Sequence, residues 1–183
     1  MNDSLLSRAR AKLEREVLEI EHRTDLTDEQ KADRIVVIFS TACAGIAVQP
    51  IPFADFFILT PLQAFMGARL AAIRGVRLSE QESTDILKQL MSVVGMGFVA
   101  QQLGIAAAKI LFPIFGGVAT LPVVFGLTYA IGTVMDKFFV YKAAGRTLSK
   151  DQIRDIWKNA RRKGKKEGKQ REASIRRDTD ETR

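Results

Sequence analysis

Eight cations fall between Lys158 and Arg171, namely Lys158, Arg161, Arg162, Lys163, Lys165, Lys166, Lys169 and Arg171, against the single acid Glu167. Anionic lipid, nucleic acid or plain water would each suit a cluster of this density. No aromatic residue interleaves with the charges and no recognised nucleic-acid motif surrounds them, which argues against nucleic acid. The capping pair Ser149 and Gln152 starts a helix just upstream, with Ile153, Ile156, Trp157 and Ala160 on one face. Trp and aliphatic residues opposite Lys and Arg form the pattern of an interfacial helix. Each cation near an anionic leaflet is worth about 1 kcal/mol, so the segment is expected to bind anionic lipid. Gly164 and Gly168 weaken the helix and favour a mobile tether as readily as a rigid one.

Catalytic chemistry finds little support. His22, the one histidine, lies on a charged helix with no second ligand one turn on. Cys43, the one cysteine, excludes an internal disulfide and any multi-cysteine zinc site, and sits in an apolar stretch where a small buried residue is expected. Gly95-Met96-Gly97 begins a dinucleotide-binding pattern, but Ala100 stands at its third glycine and no strand precedes it. No catalytic residue, metal or cofactor is assigned, and the chain is not expected to be an enzyme. Two polar residues stand in apolar surroundings. Asp55, in PIPFADFFILTP, either satisfies free amides in the first turn of a helix or makes a buried contact with Lys109, Arg69 or a partner. Lys109 either takes a buried partner or snorkels to an interface.

The elements that would position these groups read as helices throughout. Leu6, Leu13 and Ile20, with Leu5, Ala9 and Val17 beside them, form one apolar stripe over Ser4 to Arg23. That stripe packs on its own domain or pairs with a partner helix. The capping pair Thr27 and Gln30 starts a helix at Asp28 that runs to Val48, where Pro50 and Pro52 stop the pattern. A helix from Phe53 to Arg74 follows, with Gly75 as its C-cap. It carries two rows of small residues, Ala64, Ala68 and Ala72, then Gly67, Ala71 and Gly75, which suit a close helix–helix interface and self-association. Ser79 and Glu82 cap the next helix. After a break at Gly116-Gly117, a further helix is expected from Val118 to Ala144, ended by Gly145. Residues 174–183 read as a disordered tail.

Ile110 to Met135 carries no charge over 26 residues and is interrupted by Pro113, Gly116, Gly117 and Pro122. It is long enough to cross a bilayer, which takes roughly 20 apolar residues. Residues 1–34 carry a formal −2, residues 35–135 a +1 and residues 136–183 a +8, making up the net +7. An apolar middle between charged ends fits a membrane-embedded core. The N-terminus lacks the apolar core of a cleavable signal. The organisation expected is a charged amphipathic helix over 1–26, an apolar helical core over 27–148, a basic amphipathic helix over 149–173, and the tail.

IPFADFFILTPLQAFMGARLAAIRG, Ile51 to Gly75, resembles the signature helix of the YcjF-like GTPase-associated bacterial domain. The matching positions are Pro52, Asp55, Leu59, Thr60, Gln63, Met66, Arg69, Leu70 and Gly75. A second stretch, YAIGTVMDKFFVYKAAGRTLSKDQI, is similar at Gly132, Phe139, Gly145 and Leu148. The resemblance covers about Ile35 to Lys165. It implies membrane association and an Era-like or dynamin-like small GTPase as partner, with nucleotide chemistry on that partner, and it transfers no catalytic residue.

The expectation is an all-α protein of apolar helical hairpins, at least one inserted in the bacterial inner membrane with both termini cytoplasmic. Its expected function is that of a non-enzymatic adaptor or scaffold that self-associates and works with the GTPase. A pore-forming or membrane-perturbing protein is the alternative. A cytoplasmic, soluble all-α interaction domain is the further one.

Overall fold

The computed structural model describes residues 2–48, 58–95 and 115–180. These residues form six helices and no strand: α1 (Asn2–Glu21), α2 (Asp28–Val48), α3 (Thr60–Ile73), α4 (Glu80–Val94), α5 (Phe115–Ala143) and α6 (Lys150–Asp180). The capping residues read from the sequence start three of them. Thr27 and Gln30 exchange side-chain-to-backbone hydrogen bonds at α2 (2.9 and 3.2 Å). Ser149 and Gln152 do the same at α6 (2.9 and 3.2 Å). Ser79 and Glu82 close the capping box of α4. The Ser79 amide and hydroxyl both donate to the Glu82 carboxyl and hold its pKa below the usual range. Gly75 and Gly145 turn the chain after α3 and α5 at φ 73° and 66°, a region that only glycine enters cheaply.

α5 is the axis. Most of it from Leu121 to Phe139 is buried, including Phe125, Leu127, Ile131 and Val134, with Val123, Thr133, Lys137 and Phe138 partly exposed. A helix that is apolar all round has to be enclosed. α2 lies antiparallel to it, with Glu29 against Lys137 and Val36 against Gly132. α3 runs parallel to it, with Gln63 against Thr128 and Gly67 against Met135. α6 runs antiparallel along the remaining side and is the most extensive neighbour. α4 packs on α3 through Ser83, whose hydroxyl donates to the Ala64 carbonyl at 2.7 Å, and reaches α6, where Arg154 bonds the Val93 carbonyl at 3.3 Å.

α1 spends its stripe inside the chain: Leu13, Val17 and Ile20 are buried. Arg10 lies 4.9 Å from the Phe65 ring centroid and forks onto Glu80, and Glu21 pairs with Arg69. Packing on its own domain is therefore the arrangement found, and of this helix's large apolar residues Leu18 is left exposed.

The α5–α6 contact brings backbone against backbone. A Cβ on Gly164 would stand 2.7 Å from the Tyr129 Cβ and 3.0 Å from the Gly126 Cα. One on Gly168 would meet the Phe125 Cβ at 2.9 Å and the Pro122 Cα at 3.1 Å, and one on Gly126 the backbone nitrogen of Lys165 at 2.9 Å. Three glycines thus let two backbones touch.

Three expectations need correction. Gly164 and Gly168 do not loosen α6; they lie within one continuous helix and are its points of contact, because burial against α5 outweighs their low helix propensity. That helix runs to Asp180, through most of the stretch read as a tail, and Ile175 near its end is buried. Gly116-Gly117 does not break α5, which includes both.

In an isolated helix, Gly→Ala gains about 1 kcal/mol. Here the added methyl meets backbone, so Gly126→Ala is expected to lose about 1–3 kcal/mol instead. Urea unfolding of the full chain reads the sign. A raised midpoint for Gly126→Ala would mean that α5 and α6 do not touch there.

A basic helix face as the candidate functional site

α6 has two unlike faces. Ile153, Trp157, Ala160, Gly164 and Gly168 recur every three or four residues, Ile175 follows two turns on, and all are buried. Lys158, Arg161, Arg162, Lys163, Lys165, Lys166, Lys169 and Arg171 are all exposed on the rest of the helix. All eight cations named from the sequence therefore stand on one rigid rod. The apolar half of the interfacial pattern does not survive: Trp157 is only 7 % exposed, and Ile153 and Ala160 are buried with it. These side chains belong to the bundle, so the helix presents its charge outward without a hydrophobic face beside it.

The eight are not equivalent. Lys163 lies 5.5 Å from the Tyr129 ring centroid. A hydrogen bond and charge interaction with Tyr129 raise its pKa above the ordinary lysine value, with Asp33 and Glu167 assisting against partial burial. Arg171 pairs with Glu167 at 3.0 Å one turn earlier. Lys158, Arg162, Lys165 and Lys169 have no ion-pair partner among the described residues.

The small-residue rows of α3 divide. Ala64, Gly67 and Ala71 are buried in contacts within the chain, where a Cβ on Gly67 would strike Met135 and the Ser83 hydroxyl. Those positions cannot serve a second copy while they hold α4 and α5. Ala68 is half-buried, Ala72 is exposed, and Gly75 belongs to the turn. Asp55 and Lys109 lie outside the described residues. Arg69, one partner considered for Asp55, is engaged by Glu21. Cys43 is buried and His22 is exposed, its Nδ1 2.7 Å from the Leu18 carbonyl oxygen. Among the described residues no group of three His, Cys, Asp or Glu is placed to hold a metal ion.

Two features were missed in the sequence. Arg74 donates to both carboxylate oxygens of Asp136, at 2.8 and 3.0 Å, with the two side chains 13 % and 9 % exposed. Burial works against the Arg74 charge, but the hydrogen bonds and attraction of Asp136, helped by Asp28 and Glu29, raise its pKa overall. This bidentate pair locks the end of α3 to α5. Gln63 and Thr128 form the second link, a buried hydrogen bond of 3.2 Å between the same two helices. The available signal was an acid at the close of an uncharged run and an arginine just before the glycine cap.

Among the described residues one helical stretch, Leu121–Ala143 of α5, is long and apolar enough to cross a bilayer by length and composition, and 72 % of its most apolar window is buried inside the molecule. Core helices of soluble proteins satisfy the same test, so its apolar length is weak evidence of membrane association. Comparison with protein-family models, curated proteins and solved structures finds no match.

Removing one member of a buried ion pair strands the other. Asp136→Leu or Arg74→Met is therefore expected to cost about 3 kcal/mol or more. The double change Arg74→Met with Asp136→Leu should recover most of it, because no buried charge remains. A double-mutant cycle by urea unfolding measures this, and additive losses would show that the pair carries no coupling.

Proposed function

We propose that this protein is a non-enzymatic helical adaptor that docks on the anionic face of a membrane through the outer surface of α6. The observation that carries the reading is the segregation on that helix: a buried stripe of small and apolar residues, and an exposed face with eight cations between Lys158 and Arg171. Cations held at a leaflet by attraction alone, with their apolar neighbours occupied, make a peripheral protein rather than an inserted one. The resemblance of Ile51–Gly75 to the YcjF-like signature helix adds a small GTPase as the proposed partner. Self-association is proposed through surfaces other than the buried Ala64, Gly67 and Ala71.

A second reading has one observation in its favour. α5 has the length and apolarity of a spanning helix, so an inserted form would present it to lipid. Insertion would require α2, α3 and α6 to leave it and would expose the Arg74–Asp136 pair to hydrocarbon, where charge is costly. The enclosed arrangement favours docking.

The two separate in one fractionation. The docked protein is expected in the membrane fraction at low salt and to be released by alkaline carbonate or by salt, since screening shortens the reach of surface charge. Retention through both washes would establish insertion. Absence from membranes at low salt would remove the membrane reading altogether.

A further inference from the structure

The cations of α6 differ in what they face. At 3.6 residues per turn, Lys158, Arg162, Lys165 and Lys169 fall within about 60° of one another around the axis, over about 16 Å of its length. All four are exposed. No acid of α6 between residues 158 and 169 shares their line: Glu167 lies on the other flank, where it pairs with Arg171. By the same spacing, Lys163 and Arg171 stand about 100° or more from the nearest member of the row. Both are engaged inside the molecule, Lys163 with Tyr129 and Arg171 with Glu167. Arg161 and Lys166 flank the row on either side.

We infer that Lys158, Arg162, Lys165 and Lys169 form the contact line by which α6 lies side-on along an anionic lipid surface, with Trp157 still seated in the bundle. This rests on the membrane reading above and goes further, because it assigns the contact to four of the eight cations and fixes the helix orientation. Four ammonium and guanidinium groups on one straight line can meet a flat sheet of phosphate headgroups together. The contacts of Gly164 with Gly126 and Tyr129, and of Gly168 with Pro122 and Phe125, keep the line straight by fixing α6 to α5. A seated Trp157 follows from its burial: the tryptophan that would anchor an interfacial helix is already packed.

The test uses the full chain and vesicles of phosphatidylcholine with and without phosphatidylglycerol. Lys165→Gln with Lys169→Gln, and Lys163→Gln with Arg171→Gln, remove the same net charge. The first pair is expected to weaken binding to phosphatidylglycerol vesicles about tenfold or more, and the second by about twofold at most. Circular dichroism confirms that each variant keeps its helices. Equal losses from the two pairs would overturn the contact line, since net charge alone would then explain binding. Trp157, the one tryptophan, reports the orientation. Its fluorescence should be unquenched by lipids brominated along the acyl chain. Binding with strong quenching would mean that α6 leaves the bundle and inserts, which overturns this inference and spares the membrane reading. No binding to phosphatidylglycerol vesicles at low salt overturns both. Tighter binding to a short DNA duplex than to vesicles, lost with Lys165 and Lys169, would assign the same line to nucleic acid instead.

Discussion

The constraint on which this molecule turns is a helix with no polar side. α5 carries its charges, Asp136, Lys137 and Lys142, in its last third, and ahead of them it is apolar on every face. Water cannot cover such a rod, so other elements or lipid must, at roughly 25 cal/mol per Å² of apolar surface removed. Here the chain covers it. α2, α3 and α6 each bring a stripe, and the polar groups drawn into the interior are matched: Gln63 with Thr128, Asp136 with Arg74, and Ser40 with the Val36 carbonyl. The hydrophobic requirement sets the architecture, and the Gln63–Thr128 and Arg74–Asp136 pairs set the register of α3 on α5.

Enclosing α5 also explains α6. A helix that covers another along more than ten residues must either bring large side chains and stand off, or bring small ones and touch. α6 does the second from Ala160 onward, where Gly164 and Gly168 meet Gly126 and the backbone beside Pro122 and Phe125. Small contact residues leave little room for an apolar overhang, so the long side chains of α6 are the charged ones on its outer face. The buried stripe and the basic face are thus two results of one packing choice.

Local signals in this sequence were legible and global ones less so. The capping residues Thr27, Ser79 and Ser149 marked helix starts correctly, and Gly75 and Gly145 marked stops, because caps depend on side chains within three or four residues of the bond they make. What could not be read was whether the uncharged run sits in lipid or in protein, since both environments select the same composition and differ only in what lies alongside. Glycine was misjudged through propensity: Gly164 and Gly168 count as weak points in an isolated helix, and long-range contacts with Gly126 and with Pro122 and Phe125 reverse their meaning. The Arg74–Asp136 pair joins residues 62 apart, and neither sequence context names the other. Of the candidate site, the cations were legible as a cluster. Which of them point outward in a row was not, because that depends on which face α5 takes.

The outer row carries a cost that bears on its role. Like charges three or four residues apart destabilise a helix by about 0.2–0.5 kcal/mol each. The flanks of α6 show the usual remedy: Asp151 with Arg154, Glu167 with Arg171 and Glu172 with Arg176 form opposite-charge pairs at those spacings. A face meant only for water would continue that pattern through the middle. Instead Lys158, Arg162, Lys165 and Lys169 repel one another, and the helix holds because its buried stripe is fixed against α5. An anionic surface laid along the row would replace repulsion with attraction at all four positions. The rigid seam with α5 therefore does two things. It tolerates a charge arrangement that a free helix would disfavour, and it holds the four groups in one line along the axis.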